Sequence, residues 1–261
     1  MGTHFKERLC APDARLLGMF VKFPSMESIE TLASAGYDFV IIDMEHAPLG
    51  IETVYSMVAI AERSGMAALV RLRGHDTAAG AMFLDAGASG LLIPHCSPYA
   101  EAKELIADLV FPPTGRRGAG GGGRATQWGL DGANEYRRGG DHGVVRVPMI
   151  EDPQAVDEIE QILSVAGVDA AFLGQGDLTQ TLGDRQAAQA MVDRALAACL
   201  AHNVPAATTA YADDVEQRLK QGFKWLAIAN DTGTFARAAQ QRLQQAKAAM
   251  NAAFESGRSN P

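Results

Sequence analysis

Eight short apolar runs alternate with amphipathic helical patterns along 261 residues, and this alternation predicts an α/β fold, a (β/α)8 TIM barrel. Eight is the strand number that closes such a barrel, and roughly 250 residues is its usual length. Most of the runs carry β-branched or aromatic residues, as strands buried on both faces do. An open doubly wound sheet is the competing arrangement; strand count and length together favour the barrel. The chain, 1–261, reads as a single domain.

The elements follow in order. Leu16–Val21 is the first run, and a helical pattern over Met26–Ala35 is stopped by Gly36. Tyr37–Asp43 is the second. Ile51, Val54, Tyr55 and Val58 then fall at i, i+3, i+4 and i+7, one apolar stripe, stopped by Gly65. Ala67–Leu72 precedes the helical Thr77–Ala86, which ends at Gly87, and Gly90–Pro94 precedes Tyr99–Leu109. Val144–Ile150, Val168–Leu173, Val204–Thr208 and Trp225–Ala229 complete the eight, with helical patterns at Pro153–Ala166, Arg185–His202 and Asp213–Gln221. From Thr232 the chain is Ala/Gln-rich and helical to about Glu255, and Ser256–Pro261 is expected to fray.

One segment breaks this rhythm. Gly115–Gly143 holds 11 of the 27 glycines together with Arg116, Arg117, Arg124, Arg137 and Arg138. It reads either as a flexible surface loop or as an active-site lid. Its glycine run lacks the Lys-Ser/Thr ending of a phosphate-binding loop, so a nucleotide cofactor is not expected. Trp128 and Tyr136 within it could line a pocket, although packing explains them better.

Composition narrows the class. Lys and Arg number 23 against 31 Asp and Glu, a net charge of −8, which disfavours nucleic acid or an anionic membrane as partner. Cys10, Cys96 and Cys199 are widely spaced and form no Cys-x-x-Cys pair, so neither a zinc ribbon nor a redox motif is expected. No apolar run approaches the roughly 18 residues of a membrane span, and the N-terminus lacks a signal-peptide pattern. A reduced, soluble, cytoplasmic protein is the expectation.

In a barrel the chemistry sits where strands end. Asp43-Met-Glu-His46-Ala-Pro follows the second run, and a histidine there suits a general base, although a surface turn would also explain the charges. Arg71 lies within the third apolar run, where a guanidinium needs a carboxylate of the protein or an oxyanion of a ligand. Asp85, near a helix C-terminus, is either a solvent-exposed turn residue or an acid that orients a histidine. Glu151 and Asp177 follow the fifth and sixth runs, and two such carboxylates suit Mg2+, Mn2+ or Co2+. Asp152 and Asp177 also fit helix caps. Gly174 and Gly176 permit close backbone approach to an anion. His75, His95, His142 and His202 carry no such context and read as surface or satisfied residues.

Taken in order, Asp43-x-Glu-His-Ala-Pro, Val70-Arg71, Leu84-Asp85-Ala-Gly-Ala, Ile93-Pro94, Pro112-Pro-x-Gly-x-Arg117-Gly, Glu151 and Gly174-x-Gly-Asp177-Leu-Thr resemble the HpcH/HpaI aldolase family over about residues 15–235. These are metal-dependent class II pyruvate aldolases on a TIM barrel of the phosphoenolpyruvate/pyruvate type. The resemblance implies that His46 is the catalytic base, oriented by Asp85, and that Arg71 stabilises the enolate and binds the carbonyl oxygen. It implies that Glu151 and Asp177 ligate a divalent metal, with a 2-oxo acid completing the shell and the backbone of Gly174, Gly176 and Asp177 holding the ligand's carboxylate. Cleavage or formation of 4-hydroxy-2-oxo acids from a 2-oxo acid and an aldehyde is the implied reaction, and a hexamer with an exchanged C-terminal helix the implied assembly. Two stretches depart from the family pattern. Met149 stands where glutamine is usual, and Gly174-Gln-Gly-Asp-Leu-Thr179 replaces Gly-Pro-Ala/Ser-Asp-Leu-Ser. A related lyase or synthase acting on oxaloacetate or an acyl-CoA, citrate-synthase-like or decarboxylating, is the alternative reading.

Overall fold

The computed structural model describes residues 3–130, 136 and 140–258. Strands β1 (Leu16–Val21), β2 (Phe39–Asp43), β3 (Ala67–Arg71), β4 (Gly90–Ile93), β5 (Val145–Ile150), β6 (Ala171–Leu173), β7 (Ala206–Thr209) and β8 (Trp225–Asn230) pair in parallel, each with the next. The eighth returns to the first, Leu16 opposite Trp225, which closes the sheet and excludes the open alternative. Helices α2 (Met26–Ser34), α3 (Ile51–Arg63), α4 (Thr77–Asp85) and α5 (Tyr99–Asp108) carry the chain back after the first four strands.

Two apolar cores result. One lies between strands and helices and includes Val40, Ile42, Val54, Val58, Leu91 and Ile106. The other fills the barrel, where the ring of Phe39 lies 5.3 Å from that of Trp225. A Cβ on Gly18 would stand 2.2 Å from the Phe39 ring, so only glycine lets that ring cross the first strand. Each such buried aromatic contributes about 1.5–3 kcal/mol from apolar area alone.

Alternation along the strands stacks the interior in layers. Phe20, Ile41, Leu69, Met149 and Phe172 form an apolar layer. Two residues further along the same strands come Lys22, Asp43, Arg71, Glu151 and Gly174. The polar groups thus sit on a hydrocarbon floor at the C-terminal mouth.

Several elements differ from the sequence-based expectation. A helix over Thr3–Cys10 (α1) precedes the barrel, and its Phe5 packs against Phe39 and Trp225 to close the N-terminal end. The pattern at Pro153–Ala166 forms two helices, Pro153–Asp157 and Ile159–Leu163, parted at Glu158, whose carboxylate accepts the backbone N–H of Tyr99. An additional helix, Gln175–Leu182, follows the sixth strand and ends at Gly183 with φ +65°. The C-terminal helix runs from Asp231 to Arg258, and residues 236–253 on it are exposed.

The Gly-rich segment follows α5 and therefore leaves from the N-terminal end of the barrel. Its described part packs on Asp85 at that end; a Cβ on Gly120 or Gly123 would meet Asp85 atoms at 2.7 Å. A lid over this chain's own mouth is thereby excluded for the described residues. Arg137 and Arg138 lie outside them. Trp128 is exposed, and Tyr136 packs edge-on against Phe111. Cys96 and Cys199 are buried free thiols, pushed up to about 12 by burial. Among the described residues no helix is long and apolar enough to cross a membrane.

Candidate active site

Asp43 and Arg71 face each other because β2 and β3 place them in register. Arg71 donates from Nε and Nη2 to the two Asp43 oxygens at 2.9 and 2.7 Å, a bidentate buried pair. The backbone N–H groups of Glu45 and His46 also donate to Asp43, at 3.2 and 3.1 Å, which turns the chain sharply out of the strand. Burial raises the Asp43 carboxyl, but the hydrogen bond and charge of Arg71 outweigh it and hold it below the usual carboxylate value. Nη1 of Arg71 lies 3.1 Å from Glu45 Oε2. The guanidinium carbon sits 4.9 Å from the centre of the Phe20 ring. Three neighbours thus fix the plane of Arg71.

Glu151 leaves β5 as the next inward residue after Met149 and is 1% exposed. Its Oε1 accepts the backbone N–H of His95 at 2.9 Å. Burial raises its carboxyl; the His95 contacts oppose this, while the Asp177 and Glu45 carboxylates add to it, and the balance is about 7. Gly174 makes this placement possible. A Cβ there would lie 2.6 Å from Glu151 Cβ and 2.9 Å from its Oε2. The N–H of Gly174 donates to Ile150 O at 3.0 Å, so Gly174 supplies space, not a donor for a ligand. Asp177 sits in the first turn of the next helix, and beside Gly176 the space is open.

His46 stands exposed on the rim, with Nε2 3.8 Å from Glu45 Oε2. The expected partnership with Asp85 does not form within one chain. Helix α4 runs from the mouth to the N-terminal end of β4, and Asp85 closes it there. Asp85 Oδ1 instead accepts from Arg117 Nη2 at 2.6 Å and from the Tyr136 hydroxyl at 2.7 Å. Arg71, Glu151, Asp177 and His46 therefore lie at the mouth, and Asp85 at the opposite end.

Sequence reasoning passed over His95, which the structure places in the site. Its backbone has φ +49°, a left-handed conformation rare outside glycine. Its ring faces Asp152 at 3.3 Å, Glu45 at 3.6 Å and Glu151 at 3.8 Å. Burial lowers the imidazole's pKa, but these carboxylates raise it above the ordinary value. His75 is next to it, sharing its Nε2 between the carbonyls of Pro94 and His95. Asp43, Glu45 and Lys22 also belong to the mouth. The crowding of acids after the second run was the available signal for the first two.

The donor set fits a hard divalent cation: Glu151 is buried with a single hydrogen bond, and the Asp177 and Glu45 carboxylates near it raise its proton affinity. Among the described residues no group of three or more His, Cys, Asp or Glu could hold an ion alone. Two carboxylates would leave the remaining positions to water and substrate.

Comparison with known proteins places this geometry. The family model described as HpcH/HpaI aldolase/citrate lyase matches residues 16–238. The chain is 33% identical over 236 residues to a 4-hydroxy-2-oxovalerate aldolase of Novosphingobium aromaticivorans, covering 88% of this chain and 89% of that one. The crystal structure of an HpcH/HpaI aldolase/citrate lyase family protein from Burkholderia cenocepacia J2315 superposes with a TM-score of 0.87 at 29% identity, over 94% of this chain and 99% of that one. The citrate synthase SbnG superposes with a TM-score of 0.83 at 25% identity, over 94% and 98%. The chain belongs to the HpcH/HpaI aldolase/citrate lyase family, and it is a carbon–carbon lyase.

Proposed function

We propose that the protein is a divalent-metal-dependent aldolase that cleaves or forms 4-hydroxy-2-oxo acids through a pyruvate-type enolate. The observation that carries this reading is the buried Glu151 carboxylate, crowded by Asp177 and Glu45, beside a mouth that holds a fixed arginine. Glu151 and Asp177 would hold Mg2+, Mn2+ or Co2+, and the chemistry such a cation supplies when bound is Lewis-acid polarisation of a 2-oxo acid.

The remaining steps belong to the chain's own groups. Arg71, already oriented by Asp43, Glu45 and Phe20, presents positive charge where the enolate oxygen develops its negative charge. His46 takes the proton of the C4 hydroxyl during cleavage and returns it during synthesis. The N–H groups at the start of the helix at Gln175, which no side chain caps among the described residues, with Gly176 leaving room, favour the substrate's C1 carboxylate. No lysine is covalently involved in this scheme. Within one chain Glu45 is the acid beside His46.

Exchange of the pyruvate methyl protons into deuterated water tests the reading. Exchange should depend on added metal and disappear with chelator. Its absence with Mg2+, Mn2+ and Co2+ alike would overturn the assignment. Likeness to the citrate synthase SbnG supports a second reading, condensation or cleavage involving oxaloacetate or an acyl-CoA. Product analysis separates the two, with pyruvate plus aldehydes in one arm and oxaloacetate plus acetyl-CoA in the other. The reading also includes a homo-oligomer, a hexamer in the family manner, working in the cytoplasm. The exposed Phe235, Leu243 and Met250 on the C-terminal helix are consistent with burial against another copy, which light scattering would measure.

A further inference from the structure

We infer that Lys22 selects the substrate by binding a second carboxylate, beyond the one adjacent to the keto group; the inference rests on the aldolase reading above. Lys22 is the next inward residue after Phe20, one position past the end of the first strand. In a closed ring of eight that strand lies opposite β5, so Lys22 faces Glu151 across the mouth. Its Nζ is 3.3 Å from Asp43 Oδ2, the same oxygen that takes Arg71 Nη2 at 2.7 Å. The ammonium therefore stands beside the guanidinium, close to where a substrate reacts.

Asp43 does not need this second cation. Its oxygens already accept two N–H groups of Arg71 and two of the backbone. Among the described residues Asp43 is the single ion-pair partner of Lys22. Asp231, which comes up against the same turn, is filled by the backbone N–H groups of Lys22, Phe23 and Thr232. Those bonds also pin the stem of Lys22 in place. A lysine ammonium carries three donors, and one directed at Asp43 leaves two for a ligand. The side chain is 27% exposed, whereas that of Arg71 is 8% exposed, so the ammonium is the more open of the two cations. The aldol step itself uses the charge of Arg71, which leaves the ammonium charge of Lys22, paired only with Asp43 among the described residues, open to a ligand beside the reacting centre. A second carboxylate answers that charge, whether the acceptor aldehyde or the oxo-acid donor carries it.

The test compares kcat/KM for wild type, Lys22→Met and Lys22→Arg on three pairs. Pyruvate with succinic semialdehyde places the carboxylate on the acceptor, oxaloacetate with butanal places it on the donor, and pyruvate with butanal lacks it. Wild type should prefer at least one carboxylated pair by tenfold or more. Lys22→Met should lower kcat/KM on that pair by about tenfold to hundredfold while changing pyruvate with butanal less than about threefold. Lys22→Arg should restore most of the preference. Calorimetric titration with oxaloacetate and pyruvate reads recognition without turnover, and Lys22→Met should weaken the former selectively if the donor carries the group. An equal loss on all three pairs would mean that Lys22 merely buttresses Asp43 and Arg71, and would overturn the inference. So would a wild type that treats carboxylated and uncharged pairs alike. Absence of both turnover and pyruvate proton exchange with every metal overturns the aldolase reading instead.

Discussion

Replacing Asp43 with asparagine removes the negative charge that orients Arg71. Asp43 is fully buried and accepts both guanidinium N–H groups, so the loss strands a positive charge in a nearly closed site. Breaking a buried ion pair by deleting one partner costs about 3–5 kcal/mol. The D43N side chain keeps one acceptor oxygen, and Arg71 retains Glu45 at 3.1 Å, which brings the expectation to about 2–4 kcal/mol. For a chain of this size that corresponds to a fall in Tm of roughly 5–15 °C. The pH dependence has a definite sign. The folded pKa of Asp43 is depressed, so its stabilisation is present above the unfolded value near 3.9 and is lost as pH falls through the lower folded value. Urea unfolding of wild type and D43N at pH 7 and at pH 3 measures this. The difference should be full at pH 7 and smaller at pH 3. A D43N protein as stable as wild type at pH 7, or a difference that grows on acidification, would refute the account of how Arg71 is held.

Gly174→Ala should destabilise by about 1–3 kcal/mol, because its Cβ would overlap Glu151, and should weaken metal binding measured by calorimetry by about tenfold. Gly176→Ala, with nothing within 4 Å, is the control and should bind metal almost normally. Arg71→Ala should lower kcat by about 10²–10³, and His46→Ala should slow retro-aldol cleavage by roughly 10²–10⁴ while leaving metal affinity intact. Glu62 has a raised pKa, because burial outweighs its bonds from Ser89 and the Ala68 N–H. Its favourable contribution holds below the unfolded pKa near 4.3 and is lost as pH rises through the folded value, so Glu62→Gln should stabilise at pH 7 and lose that advantage below about pH 4 in thermal melts.

The strands were legible because burial on both faces writes them as unbroken apolar runs; Ala67–Leu72 and Trp225–Ala229 needed no context. Helix α1 was not, because the apolar face of Thr3–Cys10 is a single i, i+4 pair, Phe5 and Leu9, and it owes its place to Phe5 meeting Phe39 and Trp225 inside the barrel. Glu158 broke a pattern that reads as one helix because its carboxylate answers an N–H on another helix, a contact 59 residues away in sequence. In the site, strand-end position pointed to Arg71, Glu151 and Asp177. The join of Asp43 to Arg71 depends on register between neighbouring strands, which spacing does not encode. His95 was illegible for the same reason: barrel closure brings it to Glu45, Glu151 and Asp152. Asp85 carried a recognisable motif, but the direction of its helix sends it away from the His46 of its own chain.

Arg71 is oriented before any ligand arrives, clasped between a carboxylate, a second acid and an aromatic face. An arginine side chain forfeits about 2 kcal/mol of rotamer freedom when it is immobilised. Here that entropy is surrendered once, as the chain folds, and not at every encounter with an anion. Recognition thus inherits its sharpness from the first three strands, and thermal loosening of that sector would erase anion affinity while the rest of the helical content still persisted.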